Sequence, residues 1–194
     1  MQPSGFVLAG GGSSRMGRDK ALLPYRGTTL VDHLARAVQA AAGTVALIAE
    51  PARYLSLGYP VYPDKFPGCG PLGGIYTALS VSSTDWNLIV ACDMPGISAD
   101  VLRALLRSAG ESGKTGELGK SCVIATGPTG EPEPLCAVYH RSCLPVLARA
   151  IQEKRFKMRD LVKELDSKAR LVDASALANV NTPAEWAEFE EKPR

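Results

Sequence analysis

The sequence has no apolar run close to the roughly 20 residues that a membrane-spanning helix needs. Its first residues lack the charged-then-apolar order of a secretion signal. A soluble, cytoplasmic chain with no membrane partner is expected. Net charge is also scarce: 22 Lys and Arg against 20 Asp and Glu leave +2 with both histidines neutral. That balance argues against a nucleic-acid polymer as partner, while a local basic pocket for a single nucleotide stays open. Only two histidines occur, His33 and His140, far apart in the chain. A histidine-rich metal centre or a His-centred catalytic constellation is therefore not expected. The five cysteines, Cys69, Cys92, Cys122, Cys136 and Cys143, are odd in number and form no C-x-x-C pair. They read as reduced thiols, not as a disulfide framework or zinc site. Only Cys69 lies in a loop that invites a place near a substrate. No internal repeat or linker divides the chain.

What is present is organised around one stretch, Leu8 to Lys20 (L-A-G-G-G-S-S-R-M-G-R-D-K). An apolar run from Gly5 to Ala9 reads as a buried strand before it. A segment from Thr29 to Ala42, with apolar residues at 30, 31, 34, 37 and 38, reads as an amphipathic helix after it. Glycines let a backbone turn tightly and present its N–H groups to an anion. Arg15, Arg18 and Lys20 add positive charge, Arg as a two-pronged donor and Lys as a compact one. Two familiar phosphate loops do not fit. A dinucleotide fingerprint starting at Gly10 would need glycine where Arg15 stands, and a Walker loop starting at Gly12 would need Lys after Gly17, where Arg18 stands.

The rest of the chain, 194 residues with 45 % hydrophobic side chains, is long enough to bury one good core. Thr28 or Thr29 caps the first helix, His33 falls on its polar face and Gly43 ends it. Strands follow over 44–49 and from Val61. A Gly- and Pro-rich loop runs from Asp64 and turns helical at Pro71, a favoured first helical residue. The glycine-bordered start of that helix, with Gly70 and Gly74, can approach a base or phosphate closely. Asn87 to Ala91 reads as a strand covered on both faces, ending in Cys92-Asp93-Met94-Pro95. A carboxylate at the carboxyl end of a central parallel strand sits where open α/β sheets bind ligands, and Asp93 is a hard oxygen ligand suited to Mg²⁺. A helix is expected from Ser98 to about Ser108, a mobile insert over 110–120, a hairpin-like pair of strands over 121–125 and 135–139, and a helix from Ser142, acting as its cap, to Gln152. A basic cluster, Lys154 to Arg159, could grip an acidic acceptor or merely face solvent. A helix over 158–165, a late strand over 169–172 and a terminal helix over 184–191 complete the chain. Alternating strands and helices predict one three-layer α/β domain over 1–194, Rossmann-like, with a mostly parallel central sheet.

The unbroken pattern L-A-G-G-x-S-x-R-M-G-x-D-K resembles the signature loop of the small nucleotidyltransferases, most closely the molybdenum cofactor guanylyltransferases. The resemblance implies a nucleotidyltransferase fold with a nucleotide-binding half over about 1–108 and an acceptor-side half over about 121–194. It implies transfer of GMP from GTP to the terminal phosphate of molybdopterin, with Mg²⁺ as cofactor and pyrophosphate released. Lys20, Arg15 and Asp93 would be catalytic. Leu8, Ala9, Gly10, Gly11, Gly12, Lys20, Asp64 and Asp93 would hold the nucleotide, with Asp93 on the metal. Either Asp64 or a backbone group of Leu8 or Ala9 would read guanine. Gly70 and Gly74 match the family's G-P-L-x-G-I helix start, and Asn179 and Asn181 match its N-x-N-T-P motif. The acceptor wall is less defined, with Glu133, His140 and Arg141 as candidates. Transient contacts with proteins that make the cofactor or mature molybdoenzymes are also implied. One departure is Glu50, near where family members often carry an asparagine. It leaves room for a cytidylyltransferase or another phosphorylated acceptor. A non-catalytic nucleotide sensor is the reading from a different class, and the presence of both Lys20 and Asp93 speaks against it, since binding alone does not need the metal carboxylate.

Overall fold

The structure is a computed structural model, and it describes residues 2–10, 19–112, 121–180 and 182–191. In chain order the elements are β1 (Ser4–Leu8), β2 (Pro24–Tyr25), β3 (Thr28–Thr29), α1 (Leu30–Ala42), β4 (Ala46–Ile48), α2 (Pro51–Tyr54), β5 (Val61–Tyr62), α3 (Pro71–Val81), β6 (Trp86–Ala91), α4 (Ala99–Ser112), β7 (Cys122–Thr126), β8 (Pro132–His140), α5 (Leu144–Gln152), α6 (Met158–Leu161), β9 (Ser167–Leu171) and α7 (Pro183–Glu191). Seven strands form one sheet in the order β5-β4-β1-β6-β8-β7-β9. Strands β5, β4, β1 and β6 are parallel. Strand β8 runs antiparallel to both β6 and β7, and β9 runs parallel to β7. Among the described strands of this sheet, β8 alone is reversed.

Strand alternation produces the three layers. Val7, Leu88 and Val90 point to one face, where they meet Leu30, Leu34 and Val38 of α1 and Leu102 and Leu105 of α4. Phe6 and Ile89 point to the other, against Leu72, Ile75 and Leu79 of α3, Leu147 of α5 and Leu161 of α6. With side chains alternating at period two, a strand buried on both faces must be apolar at nearly every position. All of β6 after Trp86 is buried. Helix α1 is set by its ends: Thr29 Oγ1 accepts from the Asp32 N–H, and Gly43, at φ 82°, closes the helix with its N–H on Gln39 O at 2.8 Å.

The structure corrects several boundaries. Strand β4 is confined to 46–48, and β8 begins at Pro132, three residues before the expected start. Helix α4 continues to Ser112, because Leu105, Leu106 and Ala109 keep its inner face on the core past Ser108. Helix α6 gives way after Leu161 to a 3-10 turn, Val162–Glu164. Ser142 does not cap α5: it lies in a 3-10 turn, Arg141–Cys143, that His140 caps by accepting the Ser142 N–H on Nδ1 at 3.2 Å, and α5 follows from Cys143 with no side-chain cap. His33 is half-buried, its ring edge-on to Tyr25 with centroids 4.7 Å apart, so it does not lie on a polar face. Burial holds its pKa below the usual histidine value. Tyr25 belongs to the small hairpin β2–β3, whose two turn residues Arg26 and Gly27 both have positive φ. No described helix is long and apolar enough to cross a membrane.

Candidate functional site

Parallel pairing brings the carboxyl ends of β1, β4, β5 and β6 to one edge of the sheet. Ala9 and Gly10, Glu50, Asp64 and Asp93 follow those four ends. A reversed strand starts where its parallel neighbours finish, so β8 brings Glu133 to the same edge. Val90 pairs with Cys136. Three residues past Val90, just beyond the end of β6, is Asp93, and three residues back along β8 is Glu133.

Lys20 and Asp93 form the centre. The Lys20 ammonium is 3.9 Å from Asp93 Oδ2 and donates to the carbonyl of Val180. Val180 in turn donates its N–H to Asp93 O at 2.9 Å. Lys20 is only 8 % exposed, which is rare for lysine and requires such partners. Gly96 permits the approach of the C-terminal segment: a Cβ there would lie 2.4 Å from Ser175 O. Asp93 Oδ1 is buried and has no hydrogen-bond partner among the described residues. Burial pushes the Asp93 carboxyl above the usual carboxylate range, with Lys20 pulling the other way. Burial also raises the Glu133 carboxyl, helped by the charge of Asp93 and opposed by the Leu135 N–H and the side chain of Asn179. Asn179 and Glu133 thus meet beside Asp93.

Asp64 holds its own loop together. Its Oδ1 accepts from the Phe66 N–H at 2.9 Å and from Thr77 Oγ1 at 3.0 Å, while Thr77 Oγ1 also receives the Lys65 N–H. No described hydrogen bond uses its Oδ2. Gly70 adopts φ 60° and ψ −148°, a region open essentially to glycine, where the loop enters α3. Gly74 faces the Leu8 side chain, where α3 packs on β1, and an added Cβ would lie 3.3 Å from Leu8 Cδ2. The main-chain groups of Leu8 and Ala9 are largely committed. Leu8 O accepts from Cys92 N at 3.1 Å, and Ala9 N donates to Ile48 O at 3.0 Å. Ala9 O accepts from the Tyr54 hydroxyl at 3.1 Å. Gly10 has no described partner. Gly11, Gly12, Arg15, Arg18 and Asn181 lie outside the described residues.

His140 and Arg141 are not at this edge. His140 pairs with Trp86 at the opposite end of β6 and stacks edge-on against its ring, and Arg141 N donates to Asp85 O. The length of β6, about 17–20 Å, separates them from Asp93. Antiparallel pairing is the reason: the end of β8 must return to the start of β6. The basic cluster is partly tied into the surface, with Arg155 on Glu153 and Glu164, and Arg159 3.6 Å from Glu131. Two participants were not anticipated. The Val180 carbonyl is a backbone atom and leaves no residue-type signature. Tyr54 is a lone aromatic in Pro51–Tyr54, and nothing in its neighbours marks it.

A mostly parallel α/β sheet that gathers a buried lysine and an unsatisfied carboxylate at its carboxyl edge is built to handle nucleotide phosphates. Residues 5–169 match the model of the MobA-like NTP transferase domain, and the chain belongs to that family. It is thus a nucleotidyltransferase. It is 36 % identical, over 93 % of its length and 91 % of the relative's, to the "Probable molybdenum cofactor guanylyltransferase" of Carboxydothermus hydrogenoformans. The protein of the same name from Flavobacterium johnsoniae is 34 % identical, covering 93 % of this chain and 92 % of that one. Among solved structures it is similar to molybdopterin-guanine dinucleotide biosynthesis protein A from Archaeoglobus fulgidus, with a TM-score of 0.76, 25 % identity and 97 % of each chain covered.

Proposed function

We propose that this protein transfers GMP from GTP to the terminal phosphate of a molybdopterin-type cofactor in the cytoplasm. An oxygen of the acceptor phosphate attacks the α-phosphorus of GTP, the bond to the β-phosphate breaks, and pyrophosphate leaves. A phosphate monoester is already an anionic nucleophile, so no general base is needed. The difficulty is bringing one anion to another. The observation that carries the reading is the junction of Lys20, Asp93 and Val180. It fixes a buried ammonium at the carboxyl edge, where it can neutralise charge on the transferring group without reorganising.

Asp93 fits a divalent cation, because its Oδ1 is buried and without a hydrogen-bond partner among the described residues. No group of three or more His, Cys, Asp or Glu that could hold a metal occurs among the described residues. Asp93 would therefore share Mg²⁺ with nucleotide oxygens and water, as this cation prefers. Bound there, Mg²⁺ would supply Lewis-acid charge neutralisation. Asp64 Oδ2 remains to accept from guanine N1–H and N2–H₂, which adenine does not offer in that pattern. Arg15, Gly11 and Gly12 would add donors along the triphosphate, and Asn179 and Asn181 would close the site from the C-terminal side.

The test is pyrophosphate release by purified protein with Mg²⁺ and GTP, CTP, ATP or UTP, each with and without molybdopterin. Release with GTP, and only when acceptor is present, is expected. Release with CTP alone would move the chain to cytidylyl transfer, and nucleotide binding without release would make it a sensor.

A further inference from the structure

Tyr54 joins two segments that the site depends on. Its ring is 1 % exposed, and its hydroxyl lies 3.1 Å from Ala9 O and 2.8 Å from Asp19 Oδ2. Ala9 and Asp19 flank residues 10–18, so one phenol spans both ends of that stretch. Burial and the neighbouring carboxylate hold the hydroxyl well above its usual pKa, so it stays a protonated donor. Its single hydrogen serves the carboxylate and the carbonyl together.

Asp19 passes this anchor on. Its Oδ1 accepts from Ala21 N at 3.2 Å and caps the 3-10 turn Lys20–Leu22. That turn begins with Lys20, whose ammonium sits on Val180 O and near Asp93. On the other side, Ala9 is fixed through its N–H to Ile48 O as well as through its carbonyl to Tyr54. Arg53 also reaches Asp19 Oδ2, at 3.4 Å, but from a side chain that is 64 % exposed, where an ion pair contributes little.

We infer that Tyr54 is a positioning residue: through Asp19 and Ala9 it sets the placement of Lys20 and hence the affinity and turnover of the nucleotide. The inference about turnover rests on the proposed reaction, whereas the placement of Lys20 does not.

The test uses full-length Tyr54→Phe, Asp19→Asn and the double variant. Phe keeps the buried ring and removes only the hydroxyl. In nucleotide-free protein, the rate at which acetic anhydride modifies Lys20, read by mass spectrometry, should rise several-fold in Tyr54→Phe, with exposed Lys163 unchanged and the protein still folded by thermal melt. An unchanged Lys20 rate would overturn the inference even if the reaction assigned above proved wrong. In the transfer assay, Tyr54→Phe should lower kcat/KM for GTP by about 10- to 100-fold, the range expected when a catalytic group is displaced by about 1 Å. Asp19→Asn should do the same, and the double variant should be no worse than the weaker single one, because both act through one chain of contacts. Losses that multiply would show that Tyr54 acts independently of Asp19 and would refute the route. Arg53→Ala should stay within about two-fold of wild type, as an exposed pair predicts.

Discussion

Two adjacent glycines on α3 should respond to alanine in opposite ways. At Gly73 an added Cβ would lie 2.6 Å from Phe66 O and 2.9 and 3.0 Å from the two Asp64 carboxylate oxygens. Those atoms are not free to retreat, since Asp64 Oδ1 is held by Phe66 N and Thr77 Oγ1. Overpacking of this kind costs about 1–3 kcal/mol. Replacing a helical glycine returns up to about 1 kcal/mol. With the full return, the net for Gly73→Ala is a loss of up to about 2 kcal/mol, or a Tm lower by up to roughly 8 °C in a chain of this size. At Gly74 the nearest atom is Leu8 Cδ2 at 3.3 Å, the end of a flexible side chain. A shift of a few tenths of an ångström accommodates it, so Gly74→Ala should be neutral or stabilising by up to about 1 kcal/mol. Thermal unfolding of both variants, with titration of GTP, reads the difference. GTP affinity should fall in Gly73→Ala, because the Asp64 loop must move, and hold in Gly74→Ala. A Gly73→Ala protein as stable as Gly74→Ala, with wild-type GTP affinity, would refute the reasoning.

Lys20→Ala should lower kcat by at least about 10²-fold, the scale seen when one preorganised donor to a transition state is removed, as followed by pyrophosphate release. Asp93→Asn should abolish the Mg²⁺ dependence of GTP binding, measured by calorimetry at several Mg²⁺ concentrations. Because burial raises the Asp93 carboxyl, wild type should need more Mg²⁺ as pH falls, starting above the usual carboxylate range. Asp32 predicts a pH dependence of stability instead. Burial works to raise its pKa, but bonds from Thr28, Tyr59 and Arg36 outweigh this and leave it lowered. A carboxyl whose folded pKa is depressed stabilises above its unfolded pKa, near ~4, and loses that contribution as pH falls through the folded value. Urea midpoints between pH 2 and 7 should therefore show a shallower acid limb in Asp32→Asn than in wild type.

The parallel half of the fold was legible because its physics is local. A strand covered on both faces must be apolar throughout, as Leu88 to Ala91 is, and α1 announces itself by Thr29, Gly43 and its apolar stripe. Asp93 was legible for the same reason, being the first carboxylate after the cleanest buried strand. Strand β8 was harder. Its pairing with β7 follows from a short turn, but its insertion between β6 and β7 is a long-range choice that no local pattern encodes. That choice carries Glu133 to the site and His140 and Arg141 away from it. Tyr54 and the Val180 carbonyl escaped notice because their roles exist only once residues 45 and 160 positions away in sequence are brought to them.

The most direct test of the assigned reaction follows the transferred group itself. Protein, Mg²⁺ and molybdopterin are incubated with GTP labelled at the α-phosphate, and the cofactor is separated and weighed by mass spectrometry. The label should appear in the acceptor, with a mass increase corresponding to GMP, and Lys20→Ala should prevent this. Label found only in free GMP, or an acceptor that gains CMP but never GMP when offered both nucleotides, would contradict it.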